Sequence, residues 1–370
     1  MIFLGAGASR YFDLDTLQDM TKDLIDKMKR AGHEKTIKDI VMACERFGLR
    51  PDFENIYTAI EGLADPSEGV KASGPFAAYV ASRGDLSIQK KPEFLNILRD
   101  FRTMIYRKCT IKKGIVEERG VVFDKLYRTL ADHQEERILT SRTGGEGFRK
   151  LSVGDTIVTT NYDVAVEQHH RYTNAEFADG FARTRNDFIK KFDFKEYGRC
   201  PASHWLIKLH GSIWQFKNDE DIIQTIGPPE SSPLTISIGE QMMIYPVGEK
   251  PVLREPYYSF YSLFKEQPWN ILVVIGHSFR DEPVNIAVLE RLEKAPTSKI
   301  IVVDPNAESA VQNLRPPSEE TNQRIIRIPQ AFENNARLFQ RIRIAIKSKS
   351  QNDFKRRVKR FFEKVEQTRS

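Results

Sequence analysis

The chain has 370 residues, 40% hydrophobic and 29% charged with the two signs mixed, which leaves room for two domains or one large α/β domain with an insertion. No apolar stretch approaches the roughly 20 residues that would span a bilayer, which speaks against a membrane-spanning protein. A net charge of +6 is modest for this length, and three cysteines, Cys44, Cys109 and Cys200, make no C-x-x-C pair, which excludes a zinc ribbon and a disulfide framework.

The first predicted element is the apolar run Ile2 to Leu4, a short buried strand that runs into Gly5-Ala6-Gly7-Ala8-Ser9. Glycines after a strand let the backbone approach a ligand, often a phosphate held by N–H groups at a helix start. An ordinary strand-to-helix turn accounts for the same residues. Arg10 also stands where a G-x-G-x-x-G dinucleotide fingerprint calls for glycine or alanine. The opening has no basic lead and too short an apolar segment for a secretion signal, so the protein is expected in the cytoplasm.

Amphipathic helical patterns follow. "DTLQDMTKDLIDKMKRAG" starts at an acidic cap, Asp15, and stops at Gly32; "EKTIKDIVMACERFG" stops at Gly48. "PDFENIYTAIEGLAD", "PEFLNILRDFRTMIYRKC" and "VVFDKLYRTLADHQEERIL" make three more, and "DPSEGVKASGPFAAYVASRGD" reads as a loop between them. Strand signals are nearly absent from residue 15 to about 150, where "TGGEG" breaks the chain. Beyond it, the apolar runs in "DTIVTTNYD", "HWLIKLHG", "WNILVVIGHSF" and "SKIIVVDPN" alternate with helical segments such as "PVNIAVLERLEKA" and "AESAVQNL". Continuous apolar strands alternating with helices predict a parallel sheet covered on both faces. The expected architecture is α/β: a doubly wound, Rossmann-like sheet from residues 1–14 and 151–329, a large all-helical insertion at 15–150, and a basic helical region at 330–370. In the last, Val358, Phe361, Phe362 and Val365 share one face, which reads as a docked helix with a solvated basic side rather than a nucleic-acid-binding element.

In such a sheet, ligands sit beyond the carboxyl ends of the strands. Four predicted strands end in "GAGAS", "TTNYD", "LHGS" and "GHSFRD", and a fifth in "VDPN". Each set could be a plain turn, since Asn, Asp, Gly and Ser are turn formers. "VVIGHSFRD" also looks like the nucleophile elbow of a serine hydrolase around Ser278, but Arg280 replaces the second glycine and all seven histidines precede the serine. That reading fails on both counts. His169 and His170 are adjacent on one predicted helix and cannot face one metal, so they read as structural or surface residues.

Taken in order, "GAGAS", "TTNYD", "LHG" and "GHS" resemble the SIR2-like (sirtuin) superfamily, and the stretch from "MIYPVGEK" to "GHSFRDEPVN" resembles its prokaryotic antiphage-defence, NAD-degrading branch. The resemblance implies that Gly5, Ala6, Gly7 and Ser9 lie along the NAD pyrophosphate and adjacent ribose. It implies that Asn161 positions a ribose and water, that Asp163 contacts the nicotinamide amide with Thr160 beside them, and that His210 is catalytic. It further places Gly276 and Ser278 on the phosphate and adenosine side and Asn306 at the adenine ribose. The deacylases of the superfamily carry two C-x-x-C zinc pairs, which are absent here, and no cofactor-loop arginine can be transferred onto "RYFDLD".

The expectation is therefore an NAD glycohydrolase that releases nicotinamide and ADP-ribose, with NAD as substrate and no zinc, acting as an abortive-infection effector. NAD-dependent ADP-ribosyl transfer or deacylation, and a non-catalytic NAD- or ADP-ribose-binding module, are the alternatives. The chemistry suits the residues: cleavage expels a neutral ring from a cationic donor through an oxocarbenium-like sugar, so acid catalysis matters little. His210, titrating near neutrality, can accept a proton. Asn161 and Asp163 could equally cap the next helix, and His210 could be a core histidine. An NAD-degrading enzyme must be held in check, which implies a homo-oligomer built from residues 15–150 and 330–370, or a partner such as an ATPase or other defence protein.

Overall fold

The computed structural model describes residues 1–15, 17–64, 91–140, 156–173, 177–185, 188–199, 204–218, 221–228, 237–238, 242–244 and 255–367. The predicted loop at 65–85, the "TGGEG" break and Cys200 lie outside the described residues.

The main sheet has seven strands, all parallel: β1 (Ile2–Leu4), β2 (Thr156–Thr159), β3 (Phe177–Ala178), β6 (His204–Lys208), β10 (Ile271–Ile275), β11 (Lys299–Val303) and β12 (Ile325–Ile328), in the spatial order β12-β11-β10-β1-β2-β6-β3. The fold is the α/β, Rossmann-like class that the alternating apolar runs predict. β1 is central, with Phe3 registered against Val158 on one side and Val274 on the other. From β1 the chain builds outward through β2 and β6 in one direction and through β10, β11 and β12 in the other. The strand order therefore reverses between β1 and β10, and a crevice opens at their carboxyl ends.

The alternation of strand side chains divides the core into two layers. Ile2, Leu4, Val273, Ile275 and Ile301 face one cluster, while Phe3, Leu272, Val274, Ile300 and Val302 face the other. The first layer is covered by α6 (Lys113–Arg119), α7 (Val121–Thr140) and α14 (Ala336–Lys347), through Val116, Phe123, Leu126, Leu338 and Ile342. The second is covered by α10 (Tyr257–Glu266), α11 (Glu282–Lys294) and α12 (Ala307–Leu314), through Phe260, Phe264, Val288, Leu292 and Val311. Both faces of the strands are apolar because both are buried. The last helix, α15 (Gln351–Gln367), buries Phe354 and rests Val358 and Phe361 against the first layer, with its basic residues outward.

The helices between β1 and β2 do two separate jobs. While α6 and α7 belong to the sheet, α2 (Leu17–Arg30), α3 (Glu34–Arg46), α4 (Phe53–Ala64) and α5 (Lys91–Cys109) make their own core from Leu24, Ile40, Phe53, Ile56, Ile60 and Phe101. That core continues into an antiparallel five-stranded sheet, order β4-β5-β8-β7-β9, through Ile213, Phe216, Ile223 and Ile244. Its strands are β4 (Phe181–Arg183), β5 (Ile189–Phe192), β7 (Gly211–Asn218), β8 (Asp221–Thr225) and β9 (Met242–Ile244). No sequence signal separates this sheet from the first. Runs such as "FAR" and "IKKF" are short and half polar, and only two residues separate β6 from β7.

Candidate functional site

At the switch point, the loops after β1 and β10 are stitched together by their backbones. Gly5 donates its N–H to the Ile275 carbonyl at 2.9 Å, and Gly7 to the Gly276 carbonyl at 2.8 Å. Gly276 has φ +62, and a Cβ on it would lie 2.4 Å from the Ala8 nitrogen; a Cβ on Gly7 would lie 2.8 Å from the Gly276 Cα. The glycines are thus required first by each other. Two of the amides expected to face a pyrophosphate are spent on protein carbonyls, and Ala6 alone in the loop's Gly5–Ser9 stretch is exposed.

The loop after β2 is tied to the same turn. Asn161 donates its Nδ2 hydrogens to the Gly5 carbonyl at 2.9 Å and to Ser9 Oγ at 2.8 Å. Ser9 Oγ in turn donates to Asp163 Oδ2 at 2.5 Å, and Asp163 Oδ1 accepts the Ala165 N–H at 3.0 Å. Asp163 is buried and has both oxygens engaged, so it holds the start of α8 (Ala165–Tyr172) against the glycine loop. Asn161 differs. It is half-buried, and its amide oxygen has no partner among the described residues, leaving an acceptor at the mouth of the crevice. Beneath lies a buried ion pair, Lys208 Nζ with Glu167 Oε1 at 3.0 Å, and Lys208 also donates to the Asp163 carbonyl.

A second cluster forms where β6 ends. Leu209 N–H donates to the Thr159 carbonyl at 2.9 Å and Ile213 N–H to the Tyr162 carbonyl at 3.0 Å, so the "TTNYD" and "LHGS" turns are locked together. They place His210, 4% exposed, with its Nε2 at 2.6 Å from Asp281 Oδ2. Asp281 caps α11, its Oδ1 accepting the Val284 N–H. Burial disfavours the charged ring, but the Asp281 carboxylate, with help from Glu54, outweighs it and raises the His210 pKa; Asp281 is lowered in return, its own burial overcome by the imidazolium. His210 Nδ1 is buried with no hydrogen-bond partner among the described residues. His277 stays neutral, pushed down to about 4 by burial, and accepts the Phe279 N–H at 3.1 Å.

The structure thus brings Gly5, Gly7, Ser9, Asn161, Asp163 and Gly276 into one bonded set and places His210 beside it through the shared turns. Thr160 is half-buried with its N–H on the Leu4 carbonyl at 3.3 Å. Ser278 is exposed, its carbonyl accepting from Asn313 at 2.9 Å. Asn306 lies at the next strand end, exposed, its N–H bonded to Asp304 Oδ1 at 2.7 Å and in no contact with the others. His169 and His170 are both buried, and His170 Nε2 pairs with the Tyr127 hydroxyl at 3.0 Å, so they are structural rather than surface groups. Among the described residues no group of three or more His, Cys, Asp or Glu is arranged to hold a metal, and Cys44 and Cys109 are free and buried. No described helix is long and apolar enough to cross a membrane.

Two residues of the cluster have no counterpart among the sequence-derived candidates. Asp281 was visible in "GHSFRD" but looks like an ordinary helix cap, and it is that as well. Glu54 stands in a helix with an ordinary amphipathic pattern, and nothing local marks its side chain as facing a strand end.

The family model of the SIR2-like domain matches residues 155–326, which contain the loops after β2, β6 and β10 but neither the glycine loop after β1 nor Glu54. No curated protein matches the chain.

Proposed function

Residues 155–326 form a SIR2-like domain, a domain type that uses NAD, and from that premise we propose that the protein is an NAD glycohydrolase, cleaving NAD to nicotinamide and ADP-ribose. One observation carries the reading. At the crevice where the strand order reverses, the amide oxygen of Asn161 and Nδ1 of buried His210 have no hydrogen-bond partner among the described residues. An unpartnered buried nitrogen is costly, and a ligand hydroxyl would satisfy it. With Nε2 held by Asp281, Nδ1 is left to pair with a ribose hydroxyl, and Asn161 offers an acceptor for a second hydroxyl or a water. Gly5 to Ser9 and Gly276 line the floor, Ala6 and Ser278 its exposed rim. Asp163, through Ser9, and Thr159, whose Oγ1 accepts the Asn161 N–H at 3.0 Å, hold Asn161 in place, with Thr160 beside them.

The chemistry asks little of an acid. Nicotinamide leaves as a neutral ring, and the ribosyl cation needs nearby negative charge and a positioned water. Hydrolysis is preferred to deacylation because the two C-x-x-C pairs are missing from the sequence. As a defence effector, such an enzyme would deplete NAD in an infected cell. Purified protein incubated with NAD is expected to release free nicotinamide. Asn161→Ala and His210→Ala proteins, folded by circular dichroism, should be at least about 100-fold slower. Full activity in either variant would remove that residue from the site.

A further inference from the structure

The His210 cluster has a third titratable side chain, and it comes from outside the parallel sheet. Helix α4 of the insertion begins at Phe53. Asp52 closes that end, its Oδ1 accepting the Asn55 N–H at 3.1 Å, while the Phe53 N–H donates to Thr21 Oγ1 at 2.7 Å. Phe53, Ile56 and Tyr57 are fully buried, so the first turn cannot shift. From that fixed turn Glu54 reaches the loop after β2, where the Tyr162 hydroxyl donates to its Oε1 at 3.4 Å. Helix capping does not explain it, because Asp52 already caps.

Glu54 keeps some solvent exposure although protein surrounds it closely, the position of a group on a cleft wall. Burial pushes its carboxyl up to about 7. His210 draws it down, and Asp52 and Asp281 push it up. His210, by contrast, is shut in, with its Nε2 at 2.6 Å from Asp281 Oδ2 and its pKa raised by that carboxylate. Its Nδ1 is closed off from solvent and from any protein partner among the described residues, which leaves an accepted proton no way out, so the sequence-based role of His210 as proton acceptor passes to a neighbour. Asp281 is buried and committed to His210. Asp163 has both oxygens bonded. Glu54 is left with a free oxygen and an open side.

We propose that Glu54, delivered by the helical insertion, is the proton acceptor of this site. The role rests on the NAD-cleaving reading. As the water oxygen bonds to the ribose C1′, the C1′–N bond breaks and its electron pair stays with the ring, which leaves as neutral nicotinamide. The proton lost by the water goes to the Glu54 carboxylate and then to solvent through its exposed side. The charged and titratable groups around Glu54 and His210 are Asp52 just before α4, Tyr162 after β2, and His277, Arg280 and Asp281 after β10.

The test uses full-length wild type, Glu54→Gln and Glu54→Ala. Nicotinamide release is followed from pH 5 to 9, and the His210 ring is titrated by NMR without NAD. Wild type is expected to slow below a pH near 7. Glu54→Gln should lose about 100-fold in kcat with little change in KM and no acid limb. Formate should restore part of the Glu54→Ala rate, and the His210 pKa should fall in Glu54→Gln because a neighbouring negative charge is gone. Active wild type beside an equally active Glu54→Gln with an unchanged pH profile overturns the role of Glu54 alone. A wild type that releases no nicotinamide overturns the NAD-cleaving reading itself; an unmoved His210 titration in Glu54→Gln removes Glu54 from the cluster whichever way NAD behaves.

Discussion

Lys208 and Glu167, each nearly inaccessible to solvent, show how far single residues beneath the crevice are committed to one another. Burial drives the Glu167 carboxyl pKa up, and the lysine only partly offsets it. Removing one partner strands a charge, so Lys208→Met should cost about 3–5 kcal/mol in denaturant unfolding. Pairing it with Glu167→Leu should recover most of the loss; a Lys208→Met protein as stable as wild type would contradict the pairing. At Gly276, a methyl group would meet the Ala8 nitrogen at a positive φ, so Gly276→Ala should destabilise by about 1–3 kcal/mol and also impair NAD binding. Residues of this kind differ in how legible they are. Asn161, Asp163 and His210 stand at strand ends and could be picked from the sequence. Lys208, Glu167 and Glu54 are ordinary charged residues until the fold buries them or aims them.

At the level of elements, helix α8 carries His169 and His170 into the layer between α7 and β6, where Tyr127 stacks on His204 with ring centroids 4.3 Å apart. Burial, then His204 and His169, press the His170 pKa down to about 3 from the ordinary 6.5 of a histidine. Between those values the unfolded chain binds a proton that the folded one refuses. The contribution to stability is therefore whole above pH 6.5 and is lost as the pH falls toward 3. His277, held near 4, acts in the same sense. Each should remove about 2 kcal/mol of stability between pH 6.5 and 5. A His170→Gln protein should melt with a shallower acid dependence than wild type over that range; an identical slope would show that His170 titrates normally. The apolar strands and amphipathic helices were legible because their periodicity is strong. The antiparallel sheet was not, since its short, half-polar strands are specified by partners far along the chain, such as β5 with β8 and β7 with β9.

For the whole molecule, the expected homo-oligomer finds candidate surface on the insertion, where Met42, Phe47 and Leu49 stay exposed near the end of α3. Light scattering at micromolar concentration should report a mass above that of one chain, and a strict monomer would overturn the expectation. Elemental analysis should find no stoichiometric zinc, and chelators should leave nicotinamide release unchanged. The division of the insertion into a sheet-covering pair, α6 and α7, and a separate bundle, α2 to α5, could not be read from the sequence. The five helical stretches that the sequence predicts all read as amphipathic, and only packing decides which apolar stripe faces which partner.

Because β1 lies between β2 and β10, the strand synthesised first in this stretch waits longest for its neighbours. Its residues leave the ribosome well before 156–159 and far before 271–275, and loop closure over such separations is slow. Until β10 follows, the crevice has one wall, His210 has no Asp281, and Gly7 has no backbone to lie against. An interrupted translation product ending before residue 271 should therefore be inert. Ribosome-arrested chains of increasing length would show it: protection of the β1 amides should appear only once β10 has cleared the exit tunnel, so that half-made copies carry no working crevice.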